Sequence, residues 1–180
     1  AWDVSRVANM VLMFRSASSF NQNINGWDVG TCTTLAQAFQ SATKFNQPLG
    51  AWDISAVANL NSMFLSAATF NQDVAAWDTS KVLDMTGVFW AAQVFNQPIG
   101  GWAVSRATTM VFMFSSALAF NVDLSAWSIS SVTATQNMFD GASAFNQVLC
   151  WDLAGKTTTS MFTGSSGSAN LADGKCHCGA

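Results

Sequence analysis

Tryptophan recurs at Trp2, Trp27, Trp52, Trp77, Trp102, Trp127 and Trp151, five intervals of 25 residues followed by one of 24. Two phenylalanine ladders keep the same step: Phe14, Phe39, Phe64, Phe89, Phe114 and Phe139, and Phe20, Phe45, Phe70, Phe95, Phe120 and Phe145. Self-similarity at a period of 20 to 50 residues is the signature of stacked repeats, in which each unit borrows its missing interior from its neighbours. A chain of 180 residues carrying this period is therefore expected to form one elongated body.

Aligned units read Trp-Asp-[Val/Ile]-Ser-x-Val-x-x-Met-x-x-Met-Phe-x-x-Ala-x-x-Phe-Asn-Gln-x-[Ile/Leu/Val], two small residues, then the next Trp. Around each Trp the apolar residues alternate, as in Trp27-x-Val29, which predicts a strand with Trp and Val inward and Asp28 outward. Farther on, Met10, Met13, Phe14 and Ala17 fall at i, i+3, i+4 and i+7, the stripe of a short helix. The spacing Ile24-x-x-Trp27-x-Val29-x-x-Cys32 resembles the strand segment of a leucine-rich repeat. The expected fold is an α/β solenoid: a leucine-rich-repeat-like stack of seven coils, each with one short parallel strand and one short helix or 3₁₀ segment. The coils occupy 1–162 and a cap or tail occupies 163–180, because after Trp151 the pattern decays and Ser165-Ser166-Gly167-Ser168 signals a loop. An asparagine follows the second Phe in six coils, Asn21 to Asn146, and is expected to form an internal ladder that satisfies backbone groups at a bend.

Only 9% of residues are charged, against roughly 25% in ordinary soluble domains. A net charge of -3 with seven scattered bases gives no footprint for nucleic acid. No apolar run approaches the roughly 20 residues needed to span a bilayer. A chain this apolar and this uncharged is expected to hide surface by associating. It opens on Ala1-Trp2-Asp3-Val4, inside the repeat, which reads as a processed mature chain or a fragment.

Four cysteines allow three pairings. Cys32 stands where other coils carry Val7, Val57, Val82, Ala107 and Val132, so it is expected to be a buried small hydrophobe. Stacked coils rise about 4.8 Å each, which puts Cys32 some 20 Å or more from the tail. The expected disulfide joins Cys150 to Cys176 or Cys178. Cys176-His177-Cys178 lacks zinc-site spacing, and no metal or other cofactor is expected.

The run Trp52-Asp53-Ile54-Ser55-x-Val57, with Met63-Phe64-x-x-Ala67 and Phe70-Asn71-Gln72, resembles the repeat of BspA-like bacterial and protist surface proteins. The resemblance covers six coils, to Gln147, and the seventh loosely. It implies extracellular or cell-surface display, adhesion and partner binding, with no enzymatic role. Ala103 and Ser128 replace the Asp, Gly30 replaces a Ser and Val122 replaces a Gln.

Two surfaces are candidates for interaction. Positions outside the inward stripe of the expected helix should be polar, yet Val11, Leu12, Leu65, Trp90, Val111 and Phe112 occupy them, which suggests an assembly interface. On the strand face, Asp3, Asp28, Asp53 and Asp78 form a column that a binding partner or a cation could use; a solvated face that resists edge-to-edge pairing explains the column better, since one carboxylate per rung supplies too few oxygens for calcium. The first coil is expected to expose the edges of Trp2, Val4, Met13 and Phe14, to be met by upstream sequence, a partner or another copy. No catalytic residues are assigned: the one His lies in the tail, all ten acids are Asp, and no Gly-rich phosphate loop follows a strand. No Asn-x-Ser/Thr sequon occurs. The leading expectation is a secreted structural protein that self-associates end to end into a fibre or surface layer. The alternative is an adhesin or receptor-type module that engages a protein or glycan.

Overall fold

The computed structural model describes residues 2–169. Its organising contact is a parallel bridge that repeats with the sequence, Asn9 to Thr34 to Asn59 to Asp84 to Thr109 to Ala134 to Thr157. Beside it, four backbone N–H groups of each unit donate to carbonyls of the next. At one junction these run Leu35 to Asn59, Gln37 to Asn61, Phe39 to Met63 and Ser41 to Leu65, at 2.7 to 3.0 Å. The same four recur at all six junctions, ending with Thr135 to Thr157, Asn137 to Thr159, Phe139 to Met161 and Gly141 to Thr163.

The stretch expected to be a short helix or 3₁₀ segment is a run of turns closed by bonds to the third residue back. In an α-helix each N–H returns to the carbonyl four residues back. Here alternate N–H groups leave for the neighbouring unit, and those between close three-residue turns: Ala38 to Leu35, Gln40 to Gln37 and Ala42 to Phe39. Every unit carries two residues with positive φ four apart in this stretch: Leu12 and Ser16, Gln37 and Ser41, Ser62 and Ser66, Gly87 and Ala91, Phe112 and Ser116, Asn137 and Gly141, Ser160 and Gly164. Eleven of these fourteen are not glycine, each at a cost of about 1–2 kcal/mol. The strain persists because the inter-unit hydrogen bonds fix the backbone on either side. Apolar spacings of three and four residues suit consecutive turns as well as a helix, so the sequence pattern could not separate them. Among the described residues the only helical element is a 3₁₀ turn, Ile99–Gly101.

The expected strand is displaced as well. The Trp residues sit at turn ends, as in Trp52 N–H to Leu49 and Val57 N–H to Ile54, and the bridge falls seven residues after the Trp, as from Trp52 to Asn59. Among the described residues, extended pairing longer than one residue appears only where β1 (Val148–Leu149) runs parallel to β2 (Ser168–Ala169). Residues 163–169, expected to begin a cap, still follow the preceding unit, with Ser166 N–H on Phe145 and Ser168 N–H on Gln147.

The interior is two columns of stacked phenylalanines. Consecutive rings of the first column lie 5.4 to 5.9 Å apart, from Phe14 to Phe162. Those of the second lie 5.7 to 6.2 Å apart, from Phe20 to Phe145. Within a unit the two columns touch at 3.7 to 4.3 Å. These are the offset, near-parallel arrangements that aromatic pairs favour. Ala42, Ala67, Ala92, Ala117 and Ala142 are fully buried, and at these positions a larger side chain would force the turns away from the rings.

Polar side chains complete the backbone account. The indoles of Trp52, Trp77, Trp102, Trp127 and Trp151 donate Nε1–H to carbonyls 27 or 28 residues earlier, Ile24, Leu49, Val74, Ile99 and Leu124 in turn, at 3.0 to 3.3 Å. The asparagines form a ladder in which the amide oxygen of one accepts the backbone N–H of the next, from Asn21 to Asn146, at 2.9 to 3.1 Å. Buried turns leave backbone groups that must find such partners.

Cys32 is free and fully buried, and burial pushes its thiol pKa up. Cys150 is disulfide-bonded; Cys176 and Cys178, named for that bridge, lie outside the described residues.

Candidate functional site

The six apolar positions on the turn face do not make one surface. Leu65 and Trp90 occupy the same place in consecutive units, since Ser41 donates to Leu65 and Ser66 to Trp90. Trp90 stacks on Phe112 at 4.6 Å and 11°, and Val111 accepts the Gly87 N–H beside them. These four are half-buried and contiguous. Val11 and Leu12, 39% and 42% exposed, lie in the first unit, separated from the others by Ala36, Gln37, Asn61 and Ser62 in the same rows. The turn face thus carries an aromatic platform at mid-length and a separate apolar spot at the start.

The aspartates of the second candidate are committed to their own backbone. Oδ1 of Asp3, Asp28, Asp53 and Asp78 accepts the N–H two residues on, from Ser5, Gly30, Ser55 and Ser80, at 2.9 to 3.1 Å. This is the Asx-turn, a local use of Asp that needs no ligand. The Ser5 hydroxyl lowers the Asp3 pKa, the Ser55 N–H lowers that of Asp53, and the Ser80 hydroxyl lowers that of Asp78. Asp53 is also opposed by the charge of Asp78. The column remains exposed, with one carboxylate oxygen of each already engaged.

The first and last described units were less legible. At the start, Trp2 is 69% exposed, and Phe14 and Phe20 are half-buried where their counterparts from Phe39 to Phe145 are at 0%. Trp2, Phe14, Phe20, Gln22, Ile24 and Trp27 line a depression of about 210 Å³. Of the edges expected to be exposed there, Val4 is buried instead, because its carbonyl closes a turn onto Val7 that carries the side chain inward. At the other end a depression of about 300 Å³ is lined by Leu153, Thr158, Met161, Phe162, Gly167, Ser168 and Ala169. Here the second phenylalanine column stops: Gly167 packs its backbone against Phe145, where a Cβ would meet the ring. The sequence signal was the loss of the Phe-Asn pair after Phe162.

A third depression, about 420 Å³, lies between Trp127, Ser128, Ser130, Cys150, Trp151, Asp152 and Lys156. Lys156 takes the place that Val, Cys or Ala holds in the other units and donates its ammonium to the Val132 carbonyl at 2.7 Å. Its charge therefore serves the last junction of the backbone. Sequence reading also passed over Leu83, Val94, Leu118 and Val148, which are exposed.

These features define a tandem-repeat protein of 25-residue units whose accessible chemistry lies on its faces. The chain belongs to the family described as "Mycoplasma protein of unknown function, DUF285", whose pattern matches residues 1–86 and, overlapping, 69–173. No curated protein and no solved structure matches it. Among the described residues no helix is long and apolar enough to cross a membrane.

Proposed function

We propose that the chain is a leucine-rich-repeat-like solenoid of the BspA-like type, secreted or displayed at a cell surface, with a structural rather than enzymatic role. Its units self-associate into a fibre or layer. The observation that carries this reading is the apolar cluster on the turn face, where Leu65, Trp90, Val111 and Phe112 of consecutive units stay only half-buried and Trp90 stacks on Phe112. Apolar surface of this kind marks association, and low charge offers little repulsion against it. Sedimentation velocity over a concentration series tests the reading. Species larger than the monomer are expected to grow with concentration, and a monomer persisting at submillimolar concentration would overturn it.

A second reading, an adhesin or receptor-type module for a protein or glycan, is favoured by the half-buried, stacked Trp90–Phe112 pair, since surface aromatics anchor partners. A Trp90→Ala variant that assembles normally but loses adhesion to a cell or glycan surface would select it.

A further inference from the structure

We propose that the turn face pairs with the turn face of a second copy, the two stacks running antiparallel, in the one register that sets Leu65 opposite Trp90 and Arg15 opposite Asp140. This rests on the self-association reading and adds to it which surfaces meet and how they align.

The inter-unit hydrogen bonds line up equivalent residues in rows along the face. One row reads Arg15, Gln40, Leu65, Trp90, Ser115, Asp140 and Thr163, and at each step the residue after one member donates its N–H to the carbonyl of the next, at 2.7 Å. Turning a second copy through half a turn about an axis lying in the face and across the stack reverses the order of units but keeps each row opposite itself. Set against its own reverse, the row matches: Arg15 meets Asp140, Gln40 meets Ser115 and Leu65 meets Trp90, each contact occurring twice. Apolar groups fall at the centre and opposite charges on either side of it. Arg15 and Asp140 are the charged members of the row, so no other antiparallel register joins them. Neither is in an ion pair among the described residues.

Neighbouring rows agree with this register. In the row of first positive-φ residues, Ser62 meets Gly87 at the centre, where two small residues let the backbones approach, and Phe112 meets Gln37. In the row of bridge residues Asn59 meets Asp84, an amide opposite a carboxylate. Asp84 belongs to this face, since its Oδ2 accepts the Asn61 amide at 3.2 Å. Sliding the second copy by one unit, so that Trp90 faces Trp90, would set Asp84 against Asp84 and part Arg15 from Asp140. Gln40 Oε1 is buried and has no hydrogen-bond partner among the described residues, and in the matched register the Ser115 hydroxyl comes opposite that side chain. The match is poorer where Val11 and Leu12 meet Gln136 and Asn137, because Gln136 Oε1 also lacks a partner and gains none from Val11.

A surface that pairs with itself about a two-fold axis closes as a dimer, which is then the building block of any larger fibre or layer. The test uses the 180-residue chain with its disulfide intact, in sedimentation velocity over a concentration series. The parent chain should dimerise, and Trp90→Ala should raise the dissociation constant at least about 100-fold. Arg15→Asp and Asp140→Arg each set two like-charge pairs across the contact and should raise it at least about 10-fold. Combined in one chain, the two changes restore opposite charges and should bring the constant back to within about threefold of the parent, which also certifies folding. An equimolar mixture of the two single variants should form mixed dimers in preference to either homodimer, because Asp faces Arg only across the unlike pair. A charge series that leaves assembly unchanged while Trp90→Ala abolishes it would overturn the register and leave self-association standing. So would a combined variant that keeps the parent's urea midpoint without regaining its assembly. Assembly that survives Trp90→Ala would overturn the turn face as the contact, again with self-association intact. A parent chain that stays monomeric at submillimolar concentration would overturn both.

Discussion

Replacing Phe89 by alanine should cost far more than the same change at Phe14, although the two occupy one column of one repeat. Phe89 is completely buried and has Phe95 at 3.7 Å, Phe64 at 5.6 Å, Phe114 at 5.9 Å and a tilted Trp102 at 6.0 Å. Truncation removes the burial of a whole ring and opens a cavity between units that cannot collapse, because four neighbouring backbones are pinned by hydrogen bonds. Buried Phe→Ala changes cost 3–5 kcal/mol, and the upper half of that range, about 4 kcal/mol, applies here. Phe14 has ring neighbours on one side of the column only, and its outer face is uncovered, so about 2 kcal/mol is expected. Urea titrations at low protein concentration, followed by tryptophan fluorescence and far-ultraviolet dichroism together, measure both. In a stack held by nearest-neighbour contacts, Phe89→Ala should also divide the transition in two and lower its apparent slope, since the units on either side lose their coupling. A cost below about 1 kcal/mol at Phe89, or equal costs at the two positions, would refute the view that the columns hold the units together.

Asn71→Ala removes the oxygen that accepts the Asn96 N–H and the Gln97 amide, both at 2.9 Å; a loss of about 1–3 kcal/mol and faster exchange of the Asn96 amide are expected from hydrogen-exchange measurements. Gly100→Ala would place a Cβ 2.6 Å from the Asp123 carbonyl oxygen, a backbone atom, so a loss of about 1–3 kcal/mol is expected in denaturant titration. Asp3, Asp53 and Asp78 bind their protons less readily in the folded chain than in the unfolded one, because Ser5, Ser55 and Ser80 donate to the carboxylates. Their contribution is present above the unfolded value of about 3.9 and is lost as pH falls through the lower folded values, so midpoints should be flat near pH 6 and decline below about pH 4, less steeply in an Asp53→Asn, Asp78→Asn variant. Cys32, buried with a raised pKa, should resist thiol reagents until the chain is unfolded, as a colorimetric thiol titration would show.

The repeating step and the inward residues were legible because burial is a question of which side chains recur, and Trp52, Phe64, Ala67 and Phe70 recur through the first six units. The Asn ladder was legible for the same reason, as a polar residue on every rung that a single ligand would not demand. Local conformation was not. Met10, Met13, Phe14 and Ala17 satisfy a helical stripe, and nothing in their identities reveals that alternate N–H groups bond outward. The left-handed residues gave little warning either, because Leu12, Gln37, Ser62 and Phe112 are not residue types that usually mark positive φ. On the faces, the grouping of Leu65, Trp90, Val111 and Phe112 could be drawn from the rows, whereas the isolation of Val11 and Leu12 required the order of units in space. The aspartates were visible as a column, but their Asx-turns depend on backbone direction that the pattern leaves open.

Because every junction presents the same four donors to the same four acceptors, a folding chain has many near-equivalent ways to pair. A unit that skipped its neighbour and joined the one after it would satisfy all of its hydrogen bonds and expel a 25-residue loop. Such slipped isomers compete with the native arrangement during folding, and what disfavours them is the stranded apolar residues of the omitted loop. The same interchangeability lets whole units be duplicated or deleted in a gene without redesign of any contact, so chains of different length built on this plan would share one local structure.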